Sequence, residues 1–217
     1  MQYQLICLYF GSMLAALSVA SPTSNLQPRD KLKVQITFSD QTVPLGTAPV
    51  NTVFDAFAKT CATSGLCNTS PVDITGYSLW SQGRNPSSNT GITITIVPGG
   101  VYPTWVHNGL LDGLKAAVQK AAVCKDVTYT YPSDVDRHSN SSPRTVNQCT
   151  IPQFVGITWQ SGDAIYFMEF ASKTTPNADG FCSTFTTLSG AVAGAVNGAA
   201  GGIFAFLGLA CGSSAKV

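Results

Sequence analysis

The side chains that could perform acid–base chemistry in this chain are few. The sequence holds two histidines, His107 and His138, and Glu169 is its single glutamate. A hydrolase or nuclease needs a base, an acid and a charge stabiliser that converge in one pocket. The set on offer is Glu169, with His107 or His138 as its partner and with Arg84 or Arg144 to stabilise charge. Because these groups are so few, we expect a protein that is not an enzyme and keep a catalytic site as the alternative.

The surroundings of Glu169 in the sequence are apolar. It lies in the segment Tyr-Phe-Met-Glu-Phe at residues 166–170, where a carboxylate is costly unless it faces solvent or has a role. A tyrosine, a glutamate and an arginine or histidine on one sheet would be similar to the sites of small secreted fungal ribonucleases. The interpretation that we favour is simpler: Glu169 alternates outward with Phe167 on an exposed strand surface. We also expect both histidines to lie at the surface.

Other kinds of site find little support. No two histidines have the spacing of metal ligands, Cys61 and Cys67 are too few for a zinc site, and phosphate-binding and nucleophile motifs do not occur. We expect no metal and no cofactor. With 11% charged residues and a net charge of +1, the chain has no dense basic patch, so no nucleic-acid partner is expected. Trp80, Trp105 and Trp159 would form a sugar-binding platform if exposed, but core packing explains at least two of them more simply.

The amino terminus predicts export. An apolar run over residues 5–17, followed by Ser18-Val19-Ala20, is typical of a secretory signal peptide that occupies residues 1–20. Residues 21–30 are polar and predict a disordered leader, with a short propeptide cleaved after Arg29 as the alternative. We assign residues 31–217 to a single disulfide-stabilised domain and expect a secreted, extracellular protein.

Six cysteines remain after the signal peptide: Cys61, Cys67, Cys124, Cys149, Cys182 and Cys211. An even number in an exported chain predicts three disulfides, and the sequence leaves their pairing open among about 15 arrangements. The sequons that begin at Asn68 and Asn140 lie in polar stretches and predict glycosylation in exposed loops.

The hydrophobic patterns predict a mixed fold. Period-2 alternation and helical spacing predict the order strand–helix–strand–strand–helix–strand, at residues 32–38, 50–61, 74–80, 91–97, 104–124 and 127–131. Pro98-Gly99-Gly100 is expected to end the third strand, residues 132–148 form a loop, and residues 154–159 and 164–171 form a hairpin. The order is that of the split βαβ arrangement. We therefore predict an α+β two-layer sandwich with a mostly antiparallel sheet, an extra hairpin and a C-terminal Gly/Ala-rich apolar helix.

The apolar tail is the least usual segment. Helical spacing of small residues predicts a smooth face formed by Gly190, Gly194, Gly198 and Gly202. Residues 188–209 are long enough to span a bilayer at about 1.5 Å per residue, but alanine and glycine are only mildly hydrophobic. We favour a buried structural helix and keep membrane contact and self-association as alternatives. One unbroken helix would hold Cys182 and Cys211 roughly 40 Å apart, so they pair elsewhere or the helix breaks at Gly201-Gly202.

The signal peptide, six cysteines, low charge and element order together resemble fungal small secreted cysteine-rich proteins of the effector or killer-toxin kind, with an α/β sandwich. The resemblance is architectural, covers residues 32–131 and the tail, and carries no functional residue across. It implies a toxin or effector that acts by binding a target-cell membrane or a host or competitor protein. The alternatives are a secreted hydrolase of ribonuclease type and a cell-wall-associated or sugar-binding structural protein.

Overall fold

The computed structural model describes residues 32–80, 89–129, 144–161, 163–174, 180–199 and 204–212 of the 217-residue chain. The predictions for the signal peptide, the leader and six single residues concern positions outside these ranges. Those residues are Arg29, Arg84, His138, Asn140, Gly201 and Gly202.

Strands outnumber helices in the described part. The strands are β1 (Leu32–Ser39), β2 (Thr42–Gly46), β3 (Val72–Trp80), β4 (Asn89–Val101), β5 (Val123–Tyr129), β6 (Arg144–Pro152), β7 (Phe154–Ser161), β8 (Ala164–Ser172) and β9 (Phe204–Gly212). The helices are α1 (Val50–Thr60), α2 (His107–Ala121) and α3 (Phe181–Ala199), and a single 3-10 turn at Thr104–Val106 leads into α2.

The strands form two sheets. Six of them lie in the order β3-β4-β8-β7-β1-β9, and three form a smaller sheet in the order β2-β6-β5. Every pairing is antiparallel except that of β1 with β9. The predicted α+β sandwich with a mostly antiparallel sheet is confirmed. Within it, the hairpin β7–β8 lies between β4 and β1, and β5 belongs to the smaller sheet.

The helices cover one face of the six-stranded sheet. The ring of Phe57 on α1 lies 5.5 Å from that of Phe170 on β8, and Phe181 on α3 lies 5.7 Å from Phe38 on β1. Ile157 on β7 points toward Gly113 of α2. These strand residues are fully buried, and burial of such side chains is the main source of stability in a fold of this kind. We call the opposite face of this sheet, which turns away from the helices, the open face.

Side chains join the smaller sheet to the edge strand β3. The side chain of Gln148 on β6 accepts a hydrogen bond from the Trp80 backbone N–H at 2.9 Å and donates one to the Trp80 carbonyl at 2.8 Å. Nearby, the backbone N–H of Thr47 donates to the Ser78 carbonyl at 2.9 Å. These two bonds satisfy the backbone N–H and carbonyl groups of Trp80 at the end of β3, so no further strand has to pair with them.

Three disulfides are present, as predicted: Cys61–Cys67, Cys124–Cys149 and Cys182–Cys211. The last one is formed because the tail is not one long helix. Helix α3 begins at Phe181, ends at Ala199, and the chain returns as β9 beside β1. The predicted helix is therefore correct in its first half, and its second half is a strand.

Several boundaries differ from the predictions. The helix predicted over residues 104–124 ends at Ala121, and its last predicted residues belong to β5, which runs from Val123 to Tyr129. Strand β2 was not predicted. The proposed loop at residues 132–148 is wrong over its last five residues, because β6 begins at Arg144 and pairs with β5. Strand β4 continues through Pro98 to Val101. The Gly100 carbonyl accepts from the Cys67 N–H, on the side away from β8. The nitrogen of Pro98, two residues earlier, points to that same side, so the proline removes no bond to β8.

Candidate functional site: the open face of the six-stranded sheet

Glu169 lies at the centre of the open face. On β8 it alternates with Met168 and Phe170, which are buried beneath the helices, and its partners across the ladder are Gly99 on β4 and Gly156 on β7. The absence of side chains at both partners lets Glu169 lie along the sheet. A Cβ atom built on Gly99 would be 3.3 Å from both Cγ and Oε1 of Glu169. The expected outward direction of Glu169 is therefore observed, but the side chain is only half-exposed.

Apolar side chains share the open face with this carboxylate. The ring of Phe154 lies over Gly156, 3.0 Å from the position of a Cβ atom there, and the same position is 3.3 Å from Cβ of Glu169. Phe167 shares the open face two residues before Glu169, and Ala171 follows it two residues later. This desolvation raises the pKa of the Glu169 carboxyl above its ordinary range. Within the described residues the carboxyl has no hydrogen-bond or ion-pair partner.

The raised pKa of Glu169 predicts a pH dependence of stability. Between the ordinary glutamate pKa and the raised one, the folded state binds more protons than the unfolded state, so stability falls as the pH rises through that window. Glu169→Gln removes this pH-dependent contribution to the free energy of unfolding. Because solvent screens a half-exposed group, we expect the variant to gain less than about 1 kcal/mol at pH 7 and nothing at pH 3.5. Urea unfolding of both proteins at the two pH values measures this difference, and an equal gain at both would contradict it.

An apolar cluster occupies one end of the open face. It consists of Leu66, Val101, Ile165 and Phe167. Val101 on β4 pairs with Phe167 on β8 and, on its other side, with Leu66 in an isolated bridge, and Ile165 shares the face of Phe167. Leu66 is 57% exposed, Val101 43% and Ile165 68%, while Phe167 is half-buried. Exposed apolar side chains that gather in this way mark interaction surfaces more often than scattered ones.

No family model, curated protein or solved structure matches this chain. No residue of the open face therefore takes its role from a relative, and its function has to be inferred from its own chemistry.

The predicted catalytic set is not assembled in the described part. His107 is 8% exposed rather than at the surface, which corrects the expectation for this residue. Its Nε2 donates to the Cys61 carbonyl at 2.8 Å, and its Nδ1 lies 2.8 Å from Oδ1 of Asn108. His107 begins α2, on the helix side of the sheet, whereas Glu169 lies on the open face. The side chains of Arg84, Arg144 and His138 are not among those described.

The other polar groups beside His107 are also satisfied. The hydroxyl of Tyr102, whose ring centre lies 5.5 Å from that of His107, donates to the Ala62 carbonyl at 2.7 Å. Burial raises the pKa of Tyr102. Among the side chains that the structure describes, no three His, Cys, Asp or Glu groups gather as metal ligands. His107 and Tyr102 therefore hold the Cys61–Cys67 loop against α2 through their hydrogen bonds to the Cys61 and Ala62 carbonyls.

The three tryptophans do not form one platform. Trp159 is 3% exposed and stacks on Tyr166 on the helix side of the sheet, at 4.7 Å between ring centres. Trp105, in the 3-10 turn, is 67% exposed, and Trp80 is half-buried at the end of β3. Core packing is thus the use of Trp159, and Trp105 is the tryptophan best placed to contact a ligand.

A groove of about 430 Å³ lies where the two sheets meet. Threonines of β4, together with Pro44, Leu79 and Lys173, line it. Its lining contains no carboxylate and no histidine, so it offers no acid–base pair.

The glycine face of α3 is open rather than packed. Gly190, Gly194 and Gly198 are exposed, and a Cβ atom on any of them would have no neighbour within 4 Å. The helix packs instead through Val192 and Val196, which are buried. No described helix is both long and apolar enough to cross a membrane. Within the described part of the chain, the four-residue glycine spacing therefore does not serve close packing.

An alanine on this glycine face should stabilise the protein. Glycine costs up to about 1 kcal/mol relative to alanine in an exposed helix interior, so Gly194→Ala should raise the free energy of unfolding by that order. Gly113→Ala is the control, since a Cβ atom there would lie 3.3 Å from Cδ1 of Ile157 and 3.5 Å from Cγ1 of Val196. We expect the control to gain less or to lose stability in urea unfolding. A loss for Gly194→Ala would show that this face has close neighbours.

The sequon at Asn68 is placed where a glycan has room. Asn68 is exposed in the connection between α1 and β3, and its Oδ1 accepts a hydrogen bond from the Ser70 N–H at 3.0 Å. Glycosylation there remains a prediction. Gly99, Gly156 and Leu66 were not predicted as parts of the open face, because their proximity to Glu169 or Phe167 depends on strand register.

Proposed function

We propose that this chain is a secreted, non-enzymatic toxin or effector that binds a target protein on another cell through the open face. The observation that carries the proposal is the apolar cluster of Leu66, Val101, Ile165 and Phe167 at one end of that face. Buried apolar anchors supply most of the energy of protein association, and rigid surfaces lose less entropy when they bind. Strand pairing and the Cys61–Cys67 disulfide beside Leu66 provide that rigidity.

Secretion is supported from two directions. The amino-terminal sequence is typical of a signal peptide, and three disulfides are the usual stabilisation of an exported domain. The architectural resemblance to fungal effectors and killer toxins agrees with binding as the mode of action.

The proposal is tested by cell binding of a matched pair of variants. Val101 is 43% exposed on the open face, and Val123 is 45% exposed on β5 of the smaller sheet. Fluorescently labelled mature protein is added to a panel of intact yeast, filamentous fungal and plant cells, with and without prior protease treatment of the cells. We expect Val101→Asp to weaken binding by about tenfold or more, as for an interface anchor, and the addition of Ile165→Asp to weaken it further. Val123→Asp should bind like the unchanged protein.

Three outcomes contradict this proposal. Equal losses for both valine sites would exclude a specific role for the open face. Binding that survives protease treatment and occurs equally on lipid vesicles would indicate a membrane target. Absence of binding to every cell, together with RNA hydrolysis that Glu169→Gln abolishes, would favour the ribonuclease-type alternative, which the raised pKa of Glu169 makes chemically reasonable.

A further inference from the structure

The carboxyl of Glu169 has no structural use within the described residues. If the side chain at position 169 only had to cover Gly99, a glutamine or a methionine would do so equally well, and neither carries a charge that has to be desolvated. The carboxyl instead lies over Gly99, on the face that Phe167 and Ala171 share, and no described side chain donates a hydrogen bond to it. Such an arrangement costs stability, as the pH dependence above expresses, so a binding partner is the natural source of the missing interaction.

Among the described residues, no charged side chain of the same face is close enough to serve as that partner. Lys33 alternates outward on β1, two strands from β8. Asp73 on β3 accepts a hydrogen bond from the Thr95 hydroxyl at 2.6 Å. Lys173 follows the end of β8, four residues beyond Glu169, or roughly 13 Å along a strand. The strand neighbours of Glu169, Gly99 and Gly156, carry no side chain at all.

We propose that Glu169 binds the guanidinium group of an arginine side chain on the partner protein. This inference rests on the proposed function, because it names the chemistry that the open face recognises. A guanidinium group donates two parallel hydrogen bonds to a carboxylate and also stacks on aromatic rings. A lysine ammonium is more strongly hydrated and loses more when it enters apolar surroundings. A single carboxylate is too few ligands for calcium.

The position of Glu169 explains how charge and apolar contact would act together. The apolar cluster begins at Phe167, two residues along the same strand, so one partner surface would cover both. When water is excluded, the carboxylate–guanidinium pair strengthens, and removal of either member leaves a buried charge unpaired. Apolar contact then supplies affinity, and Glu169 selects partners that carry an arginine at the matching position.

The test uses ethylguanidinium as a probe for the arginine group. It is titrated into the oxidised mature protein at constant ionic strength, and NMR records the Glu169 carboxyl carbon and the amides of Gly99 and Gly156. We expect a saturable shift with half-saturation on the order of 10 mM, and a lower pKa of Glu169 in the saturated protein, as linkage requires. Ethylurea, the neutral isostere, should cause no shift. Glu169→Gln should abolish the shift, whereas Asp73→Asn, on the same sheet, should leave it unchanged.

The outcomes separate this inference from the proposed function. If ethylguanidinium produces no saturable shift, or the same shift in Glu169→Gln, the inference is overturned, whatever the cell-binding result. If the shift is present and Glu169→Gln also weakens cell binding by about tenfold, both stand. If the shift is present but cell binding does not depend on Val101 and Ile165, the proposed function fails while the guanidinium site remains.

Discussion

Loss of the Cys182–Cys211 disulfide should lower the free energy of unfolding by about 3.5 kcal/mol. The bond joins residues 29 positions apart and closes a loop that contains all but the first residue of α3 and most of β9. In the loop-entropy account, cross-linking destabilises the unfolded chain more when the closed loop is longer. Cys182→Ser with Cys211→Ser, measured by urea unfolding at pH 7, tests this value.

The Cys61–Cys67 disulfide provides the matched control. It joins residues only six positions apart, so the same account predicts a loss of about 2.4 kcal/mol for Cys61→Ser with Cys67→Ser. The two variants should also differ in where they become mobile. Among the described strands β9 pairs only with β1, so hydrogen exchange in β9 should accelerate when Cys211 is released. Equal losses in both variants, with unchanged exchange in β9, would contradict the role assigned to the longer loop.

The same tail shows why the sequence predicted its first half and not its second. Residues 190–202 carry glycine and alanine at helical spacing, which predicts α3. Residues 204–212 are apolar at nearly every position, and a short apolar run without alternation cannot be assigned to strand or helix by periodicity. β9 forms because it lies beside β1, in the one parallel pairing among the described strands. That contact joins residues about 170 positions apart, which no local pattern records.

Strand β6 was also not predicted, and the reason is different. Its sequence, Arg-Thr-Val-Asn-Gln-Cys-Thr-Ile-Pro, is mostly polar and follows a stretch rich in serine and proline. It becomes a strand because it pairs with β5 and β2, and because Cys149 is bonded to Cys124 at the directly opposite position. Tertiary context overrides weak local propensity here.

The open face was predictable in direction but not in composition. Alternation along residues 166–170 placed Glu169 and Phe167 on one side of a strand. The neighbours that allow Glu169 to lie along the sheet are Gly99 and Gly156. They lie 70 and 13 residues away in sequence and are adjacent to Glu169 only through the register of three strands. A one-residue slip of either neighbouring strand would replace these glycines with residues of the opposite face.

Gly46→Ala is expected to cost about 3 kcal/mol or more. Gly46 has φ +56°, and a Cβ atom there would lie 2.3 Å from the backbone oxygen of Ser78. The left-handed conformation alone costs a non-glycine residue about 1–2 kcal/mol. The clash adds to this cost because the atom that it meets belongs to backbone and cannot rotate away. The same Ser78 oxygen accepts the hydrogen bond from the Thr47 N–H, so relief of the clash would separate the two sheets at their junction.

The variant Gly76→Ala separates the cost of the left-handed conformation from the cost of the clash. Gly76 has φ +88°, yet a Cβ atom there would meet no atom of the described residues within 4 Å. Gly76→Ala should therefore lose only the conformational term, about 1–2 kcal/mol, and urea unfolding of the two variants side by side gives the cost of the clash as their difference. Gln148 bonds to both backbone groups of Trp80, so a second connection between the two sheets is expected to remain if the Thr47–Ser78 hydrogen bond is lost. Equal losses at Gly46 and Gly76 would show that β2 and β3 move apart freely, and that the Thr47–Ser78 hydrogen bond contributes little to holding the two sheets together.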